Sequence, residues 1–316
     1  MVAAGSESES HTALYDAVVI GAGPAGLSCA LNLVRAHARV LLVDANRPRH
    51  AATLQSHGFL TRDGVAPAQL RQQGREEVLA YPTASYVMGA VTAVTPATGT
   101  VIDSSAGTPP EPAAALGFAV TVAPVRGSGD PQIYHARRIV IATGIQERLP
   151  DITNLRAYYG TALHSCVVCD GYEKTGQPVV LLPHPQCSEQ QLDVVQRLLR
   201  RFSPEVLVVR DAVEILGERA QMQGVRRSTG AVLPVTQGFV LPLTTVQAPY
   251  LAQFGVPAAC PQGLAAWGVD QPAEISNIGI PGIYAVGEAL TGEPQQLVVA
   301  AGSGAALVPE LLLSLA

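Results

Sequence analysis

The stretch YDAVVIGAGPAG, residues 15–26, decides the fold of the first part of the chain. Its first six residues, Tyr15–Ile20, form a short apolar run rich in β-forming residues, and a glycine-rich turn follows at once. A helical pattern then continues through about Ala36, and a second apolar run ends at Asp44. Strand, glycine turn, helix and strand in this order predict a dinucleotide-binding βαβ unit.

Each glycine of the turn has a physical task in such a unit. Gly21 permits the tight turn, Gly23 lets the backbone approach a pyrophosphate, and Gly26 lets the helix pack closely on the strand. The helix N-terminus offers free N–H groups and a positive dipole end to the phosphates. Asp44 is placed to accept hydrogen bonds from the ribose hydroxyls. The residues of the turn and helix start that we predict to bind the cofactor are Gly21, Gly23, Pro24, Ala25 and Gly26.

Two later segments indicate that the dinucleotide is FAD. Residues 139–144 (IVIATG) form an apolar strand that ends in Thr143 and Gly144. Residues 282–288 (GIYAVGE) form another strand that ends in a glycine and an acid, and a helix is expected to begin near Gln295. The flavin end of FAD lies far from its pyrophosphate, so a two-part flavoprotein fold needs a returning segment of this kind.

The sequence HSCVVCDGYE, residues 164–173, carries the candidate chemistry. Two residues between Cys166 and Cys169 bring both sulfurs to one helical turn, close enough for a reducible disulfide. A helix N-terminus lowers the pKa of a thiol and favours the nucleophilic thiolate. Asp170 and His164 are the nearby groups able to move a proton. Two alternatives stay open, structural cysteines or half of a zinc site, but the chain has no second close cysteine pair and we predict no metal.

Composition excludes several other classes of protein. The formal charge is −5, the pI is near 5.8, and no run of Lys or Arg is present, which argues against a nucleic-acid partner. The sequence contains no stretch of about 18 uninterrupted apolar residues, so we predict no membrane span. Residues 1–14 are small, polar and acidic in most positions, which predicts a disordered tail rather than a secretory signal, and cytoplasmic localisation.

Together these motifs resemble the low-molecular-weight thioredoxin reductase family over nearly the whole chain. Their order is GAGPAG (21–26), ATG (142–144), CVVCDG (166–171), PGIYAVGE (281–288) and QLVVAAGSGAA (296–306). The resemblance implies an α/β fold with two Rossmann-like, three-layer ββα domains, the smaller one inserted into a discontinuous FAD domain. The expected divisions are a tail (1–14), a first FAD part (15–155), a central NADPH-domain-like region with the cysteine pair (156–274) and a second FAD part (275–316).

The resemblance also implies a role for each matching residue. Cys169 would exchange electrons with FAD, Cys166 would be the interchange thiol, and Asp170 matches the family's proton donor. Gln296 matches a residue that contacts the flavin ring. Glu288 stands where the family usually has Asp, which keeps the carboxylate but lengthens its reach by one methylene. The further residues implied to hold FAD in the later motifs are Thr143, Gly144, Gly287, Leu297 and Val298.

One part of the chain departs from the family pattern. The second dinucleotide site is expected between a strand at 178–182 and a helix at 188–202, but the turn between them, PHPQC (183–187), has no glycine. Its two prolines lack N–H donors, so this turn is unsuited to a pyrophosphate. Arg210 is the single basic residue at the end of the next strand. We therefore predict that NAD(P)H is not the electron donor.

This departure makes the chain similar to the pyridine-nucleotide-independent branches of the family. These are ferredoxin-linked thioredoxin reductases, diflavin-linked disulfide oxidoreductases and dithiol oxidases of the gliotoxin and holomycin type. The loop SHGFLTRDG, residues 56–64, resembles a loop of those oxidases beside the flavin, which implies that His57 contacts the cofactor. The branches further imply a dithiol or disulfide substrate, a small molecule or a thioredoxin-like protein, a ferredoxin-type donor, a second FAD in place of NADPH, and a homodimer.

Two other functions stay open at this point. One is an ordinary NADPH-dependent thioredoxin reductase with an unorthodox turn, which the two prolines disfavour. The other is a flavin-bound redox sensor without turnover, which the intact cysteine pair and its acid disfavour.

Overall fold

The structure is a computed structural model, and it consists of two units, each of which contains parallel strands. It describes residues 13–97, 117–127, 129–219, 221–261, 263–264, 276, 278–291 and 295–316. The first unit comprises Met1–Pro48, Arg71–Ile145 and Thr245–Ala316, and the second comprises Arg49–Leu70 and Gln146–Thr244. Most of the predicted tail lies outside the described residues, but Leu14 already begins the first strand.

The strands and helices of the described residues are numbered here in chain order. The strands are β1 (Leu14–Ile20), β2 (Val40–Asp44), β3 (Ala84–Pro96), β4 (Phe118–Pro124), β5 (Gln132–Ile141), β6 (Gln146–Arg148), β7 (Leu163–His164), β8 (Val179–Pro183), β9 (Val206–Val208), β10 (Ala212–Glu218), β11 (Gln221–Arg227), β12 (Val232–Leu233), β13 (Gly238–Leu241), β14 (Leu243–Gln247), β15 (Ala259–Cys260) and β16 (Ile283–Ala285). The α-helices are α1 (Pro24–Arg35), α2 (Pro67–Leu79), α3 (Leu155–Tyr158), α4 (Val167–Asp170), α5 (Glu189–Leu199), α6 (Glu288–Thr291), α7 (Leu297–Ala306) and α8 (Val308–Leu315).

The first unit is organised around β1, which pairs in parallel with β2 on one side and β5 on the other. Strand β3 extends this sheet in parallel beyond β2, and β16 extends it in parallel beyond β5. Strand β4 runs antiparallel to both β3 and β5. All of the parallel strands therefore present their carboxyl ends at one edge, where an α/β sheet binds its ligands.

Burial on both faces of this sheet follows the period of two in its strands. Val18 and Ile20 pack into one core with Leu41 and with residues of β4 and of the segment after β14. Val19 packs into the opposite core with Leu42 and the apolar side of α1, α7 and α8. A parallel strand covered on both faces reads as a continuous apolar run, which explains why the motif strand is detectable in the sequence.

The second unit contains a parallel sheet in the order β7-β13-β8-β9 and an antiparallel sheet in the order β10-β11-β12. Helix α5 buries Leu192 and Leu199 against Leu181 and Phe239 on one face of the parallel sheet. The opposite face packs against residues of β10 and β11, including Ile215 and Val225. The strand predicted at 178–182 and the helix predicted at 188–202 correspond to β8 and α5.

The expected fold class is confirmed, but the units divide the chain at other points than expected. The sequence predicted boundaries at 155/156 and 274/275, whereas the structure divides at 145/146 and 244/245. Residues beyond 245 belong to the first unit because Val246 and Leu251, both fully buried, complete its core. Residues 49–70 belong to the second unit, where the Ala52 carbonyl lies 2.2 Å from the position that a Cβ of Gly160 would take. No local sequence pattern announces such a long-range exchange of segments.

The segment Leu297–Leu315 passes the length and composition test for a membrane span, with a mean hydropathy of 1.7. It is divided at Leu307 into α7 and α8, and Leu307 and Leu311 are fully buried in the first unit. Helix α7 crosses α1 so closely that a Cβ at Gly304 would lie 2.0 Å from the Ala25 carbonyl oxygen. An apolar helix pair packed in this way is weak evidence for a span.

Two glycines of α7 provide a test of this packing. Gly304→Ala forces α1 and α7 apart, and we expect it to destabilise the protein by about 1–3 kcal/mol. Gly302→Ala is the matched control, since a Cβ there meets no described atom within 4 Å, and its helix propensity favours alanine by up to about 1 kcal/mol. Denaturant unfolding of both variants measures the difference; equal stabilities would contradict the close approach of the two helices.

Candidate functional site

The glycine turn after β1 is held against the end of β5. Gly21 has φ +109°, and a Cβ on it would lie 2.4 Å from the Ala142 carbonyl oxygen. A Cβ on Gly26 would lie 1.9 Å from the carbonyl oxygen of Gly21. These two positions therefore require glycine for the turn itself and for the packing of α1, as the sequence motif predicts.

Gly23 differs from its two neighbours because nothing described lies within 4 Å of the position of its Cβ. It is the N-cap of α1, no described side chain caps the helix, and no acid stands in the first turn. The first amides of α1 have no partner inside the helix. Open space, uncapped amides and the positive helix end fit the pyrophosphate of FAD.

Asp44 lies at the end of β2 and is 8% exposed, but it is not alone there. Arg71 Nη2 lies 2.7 Å from Asp44 Oδ2 and 3.1 Å from Asn46 Oδ1. Arg71 Nε also donates to the carbonyl oxygen of Ala22, at 3.4 Å. Arg71 thus ties the end of β2 to the glycine turn, and sequence reasoning missed it because no motif marks this arginine of α2.

The later motifs meet beside the same turn. A Cβ on Gly144 would lie 3.7 Å from Glu288 Oε2, so the carboxylate rests against the end of the ATG motif. The Gly287 amide donates to Ser303 Oγ on α7 at 2.8 Å, which joins the last two motifs. The structure therefore brings four separated stretches of sequence to the carboxyl edge of one sheet: the turn at 21–26, the 142–144 segment, the 287–288 segment and the start of α7.

The start of α7 also fits an aromatic cofactor. Gln296 is its N-cap, no described side chain caps the helix, and its first turn has no acid. Val298 and Val299, in that first turn, are 40% and 38% exposed. Leu297 begins the helix beside them. The positive end of α7 and these apolar side chains are suited to a flavin carbonyl and ring.

In the second unit, Cys166 and Cys169 form a disulfide with a Cα–Cα distance of 5.3 Å. Cys166 is the N-cap of α4, and its Sγ accepts a hydrogen bond from the Cys169 amide at 3.2 Å. A backbone amide that donates to a sulfur in this way stabilises the thiolate that forms when the disulfide opens. The two sulfurs are thus held at a helix start, as the CxxC spacing predicts.

His164 and Asp170 flank the disulfide and lie close together, with Nδ1 3.0 Å from Oδ1. This is a close approach without hydrogen-bond geometry, since neither ring nitrogen of His164 meets that geometry with any described residue. Lys174 is 5% exposed and its ammonium lies 5.7 Å from the centre of the Phe239 ring. Burial lowers the pKa of Lys174, and the carboxylates of Asp170 and Glu173 oppose that shift.

His57 lies in the second unit, in the same unit as the cysteine pair. Its Nε2 lies 3.6 Å from Glu173 Oε1, four residues after Cys169, and its Nδ1 lies 3.5 Å from Asp63 Oδ2. The Gly58 amide donates to Asp63 at 2.8 Å, and this bond, followed by the His57 contact, lowers the pKa of the Asp63 carboxyl. The loop is therefore closed by its own side chains, and the flavin contact of His57 stays a prediction.

The other cysteines lie apart from this chemistry. Cys29 is fully buried in α1, where desolvation raises the pKa of its thiol to about 12. Burial also raises the thiol pKa values of Cys187 and Cys260. Within the described part of the chain, no three His, Cys, Asp or Glu side chains are grouped as metal ligands.

The comparison with known families agrees with this architecture. The pattern of the pyridine nucleotide-disulphide oxidoreductase family matches residues 15–195, more than half of the chain. The chain belongs to that family. The assignment confirms the expected thioredoxin reductase-like fold.

Solved structures and curated relatives place the chain near thioredoxin reductases. It is 27% identical to a Bacillus anthracis protein described as "Putative Thioredoxin Reductase TrxB", with a TM-score of 0.78 over 94% of this chain and 97% of that one. It is 29% identical to the protein HlmI, with a TM-score of 0.77 over 95% and 92% of the two chains.

The curated relatives are longer than the part that matches. A protein of Arthroderma benhamiae named "Probable thioredoxin reductase" is 32% identical over 53% of this chain and 37% of its own length. Thioredoxin reductase tcpT of Claviceps purpurea is 28% identical over 52% of this chain and 44% of its own. The chain thus matches less than half the length of these two relatives.

Two glycines of the turn separate cofactor binding from folding. Gly23→Ala adds a Cβ into open space, so the protein should fold and lose at least about tenfold in FAD affinity, equal to about 1.4 kcal/mol. Gly26→Ala drives a Cβ into the Gly21 carbonyl and should lower the thermal stability of the apoprotein as well. Flavin titration measures the FAD affinity of both variants, and circular dichroism measures their thermal stability. Unchanged FAD affinity in Gly23→Ala would contradict the prediction that the pyrophosphate binds at this turn.

Proposed function

We propose that this protein is an FAD-dependent disulfide oxidoreductase that exchanges two electrons between a dithiol or disulfide substrate and FAD through Cys166 and Cys169, without NAD(P)H. The observation that carries the proposal is the state of the turn between β8 and α5. This turn occupies the place of a second dinucleotide site, and its backbone amides are all paired within the chain. The following contacts support that statement.

Residues 183–188 contain two prolines and four amides. The His184 amide donates to the Leu241 carbonyl at 2.8 Å, and the Cys187 amide donates to the His184 carbonyl at 2.9 Å. The Gln186 amide donates to His184 Nδ1 at 3.2 Å, and the Ser188 amide donates to the Gln191 side chain at 3.0 Å. A pyrophosphate would have to break these bonds before it could bind, because each amide already has an acceptor.

The start of α5 is closed in the same way. Ser188 Oγ accepts from the Gln191 amide at 3.2 Å, which completes a reciprocal capping box. Glu189 adds a negative charge in the first turn, and Arg210 binds both of its carboxylate oxygens, at 2.6 and 2.7 Å. The one arginine available for a 2′-phosphate is thereby paired with an acid that repels phosphate.

Side chains also fill the turn. Arg148 Nε lies 3.2 Å from His184 Nε2, and Arg148 also donates to the Gln186 side chain. Burial, followed by the charge of Arg148, lowers the pKa of His184, so the imidazole stays neutral at physiological pH. A closed and filled turn opposes any dinucleotide, and it argues against a second FAD as it does against NADPH.

The reaction follows from thiol–disulfide exchange. In the oxidising direction, a substrate thiolate attacks Sγ of Cys166, the Cys166–Cys169 bond breaks, and Cys169 leaves as a thiolate. The second substrate thiolate then displaces Cys166, which leaves an oxidised substrate and a reduced cysteine pair. The His164–Asp170 pair holds the protons that the thiols release. FAD, when bound, supplies the two-electron acceptor in this direction and the donor in the opposite one.

The substrate, the direction and the partner belong to the same proposal. The names of the curated relatives, thioredoxin reductases, favour a protein disulfide of the thioredoxin type as the substrate. The likeness to the dithiol oxidases favours a small dithiol instead. A ferredoxin-type donor would serve the reducing direction in place of NADPH. Homodimerisation and cytoplasmic localisation are proposals from the resemblance and from composition.

Anaerobic reduction of the holoprotein tests the electron route. Excess dithiothreitol should bleach the visible flavin band, whereas NADPH and NADH should leave it unchanged, and the flavin content should be one FAD per chain. Cys166→Ser should lose the bleaching by dithiol. Cys187→Ser is the control, because this half-buried thiol lies outside the disulfide. Prompt bleaching by NADPH would instead make the protein an ordinary thioredoxin reductase.

A further inference from the structure

A buried carboxylate stands at the centre of the segments around the cysteine pair. The side chain of Glu147, on β6, is 7% exposed. Its Oε1 lies 3.1 Å from Arg49 Nη1 and accepts from Ser165 Oγ at 3.0 Å, and its Oε2 accepts from the Tyr159 hydroxyl at 2.5 Å. Removing this carboxylate would disrupt three contacts at once, which is costly.

The three donors come from different parts of the second unit. Arg49 opens the segment 49–70, Tyr159 follows α3, and Ser165 immediately precedes Cys166. Burial, followed by the charge of Glu147, raises the pKa of Tyr159, so its hydroxyl stays protonated as a donor. One carboxylate therefore contacts side chains from three separate segments of the second unit.

Ser165 is the single residue between two fixed elements. Before it, His164 is held in β7 by parallel pairing with Phe239 of β13. After it, Cys166 caps α4 and its Sγ accepts the Cys169 amide. The hydrogen bond from Ser165 to Glu147 fixes the link between the sheet and the cap, and so the place of the attacked sulfur.

The segment 49–70 is attached to the cysteine region at more than one point. Arg49 binds Glu147, and Ala52 packs so closely on Gly160 that a Cβ there would lie 2.2 Å from its carbonyl oxygen. Farther along, His57 lies 3.6 Å from Glu173, on the other side of the cysteine pair. Glu147 thus anchors the beginning of the segment 49–70. This segment contacts residues that precede the cysteine pair in the chain, Glu147 and Gly160, and one that follows it, Glu173.

We propose that Glu147 is a positioning residue, which acts through Ser165 to hold Cys166 for attack by the substrate thiolate. The role rests on the proposed function, since it concerns the step in which the substrate sulfur bonds to Cys166 and Cys169 leaves as a thiolate. Glu147 forms no bond to substrate in this step and exchanges no proton with it. Its effect falls on the rate of exchange at Cys166.

The test compares Glu147→Gln, Ser165→Ala and the double variant. The measurement is the anaerobic rate constant at which excess dithiothreitol opens the disulfide of the holoprotein, read by quenched alkylation of the freed thiols. Each single variant should be slower by about tenfold or more, as expected for loss of a hydrogen bond to a charged group worth about 1.5–3 kcal/mol. The double variant should be no slower than Glu147→Gln, because both changes remove one interaction.

The control is Glu214→Gln, which removes another carboxylate–arginine pair of the second unit, 2.8 Å from Arg226 Nε. Its exchange rate should match that of the unmodified protein. The pH dependence of alkylation of reduced Cys166 provides a readout that general loosening would not move, and it should shift in Glu147→Gln and Ser165→Ala alone. Flavin content and thermal unfolding show whether each variant is folded.

The outcomes separate the two proposals. If Glu147→Gln does not fold, Ser165→Ala decides, since an exchange rate equal to that of the unmodified protein overturns the role of the link. Independent, multiplicative losses in the double variant also overturn it. If dithiothreitol fails to open the disulfide of the unmodified protein, the proposed function itself fails, whatever the variants do.

Discussion

A helix after a parallel strand can bind a phosphate only while its first backbone amides lack partners. This chain contains the strand–turn–helix arrangement twice, and the two copies differ in that property. At α1 no described side chain caps the helix, and Gly23 leaves open space in front of it. At α5 a capping box, an acid and two prolines close the turn. The two copies therefore differ in the satisfaction of their amides and not in the order of their elements.

The closed turn satisfies its own backbone amides. Each amide of the turn has an acceptor within hydrogen-bond distance, and Arg148 and His184 fill the remaining volume. A glycine-rich phosphate turn, by contrast, gains full satisfaction of its amides only with the ligand. A turn with prolines and a self-capping helix is compatible with the same parallel sheet, and under the proposed function it leaves the disulfide as the reactive feature of the second unit.

Local motifs made much of this structure predictable from the sequence. The features that depend on long-range contacts were not predictable. The glycine turn, the ATG segment, the strand before Glu288 and the CxxC pair were predictable because each is a short pattern with a local physical reason. The absence of glycine from the turn at 183–187 was visible in the sequence, but the capping box of Ser188 and Gln191 and the pairing of Arg210 with Glu189 were seen only in the structure. Arg71, Glu147 and the attachment of residues 49–70 had no such pattern, since their partners lie far away in the chain.

Strand β6 shows how such unpredicted contacts arise. Its side chains alternate between opposite sides, so Glu147 reaches the cysteine segment while Arg148 reaches the closed turn. A buried carboxylate–arginine pair adds little net stability, because desolvation of both charges offsets their attraction. What it adds is a fixed geometry, since its acceptor oxygens can satisfy Ser165 and Tyr159 only in one arrangement. The proposed exchange at Cys166 depends on such geometry more than on net stability, since Ser165, which donates to Glu147, immediately precedes Cys166.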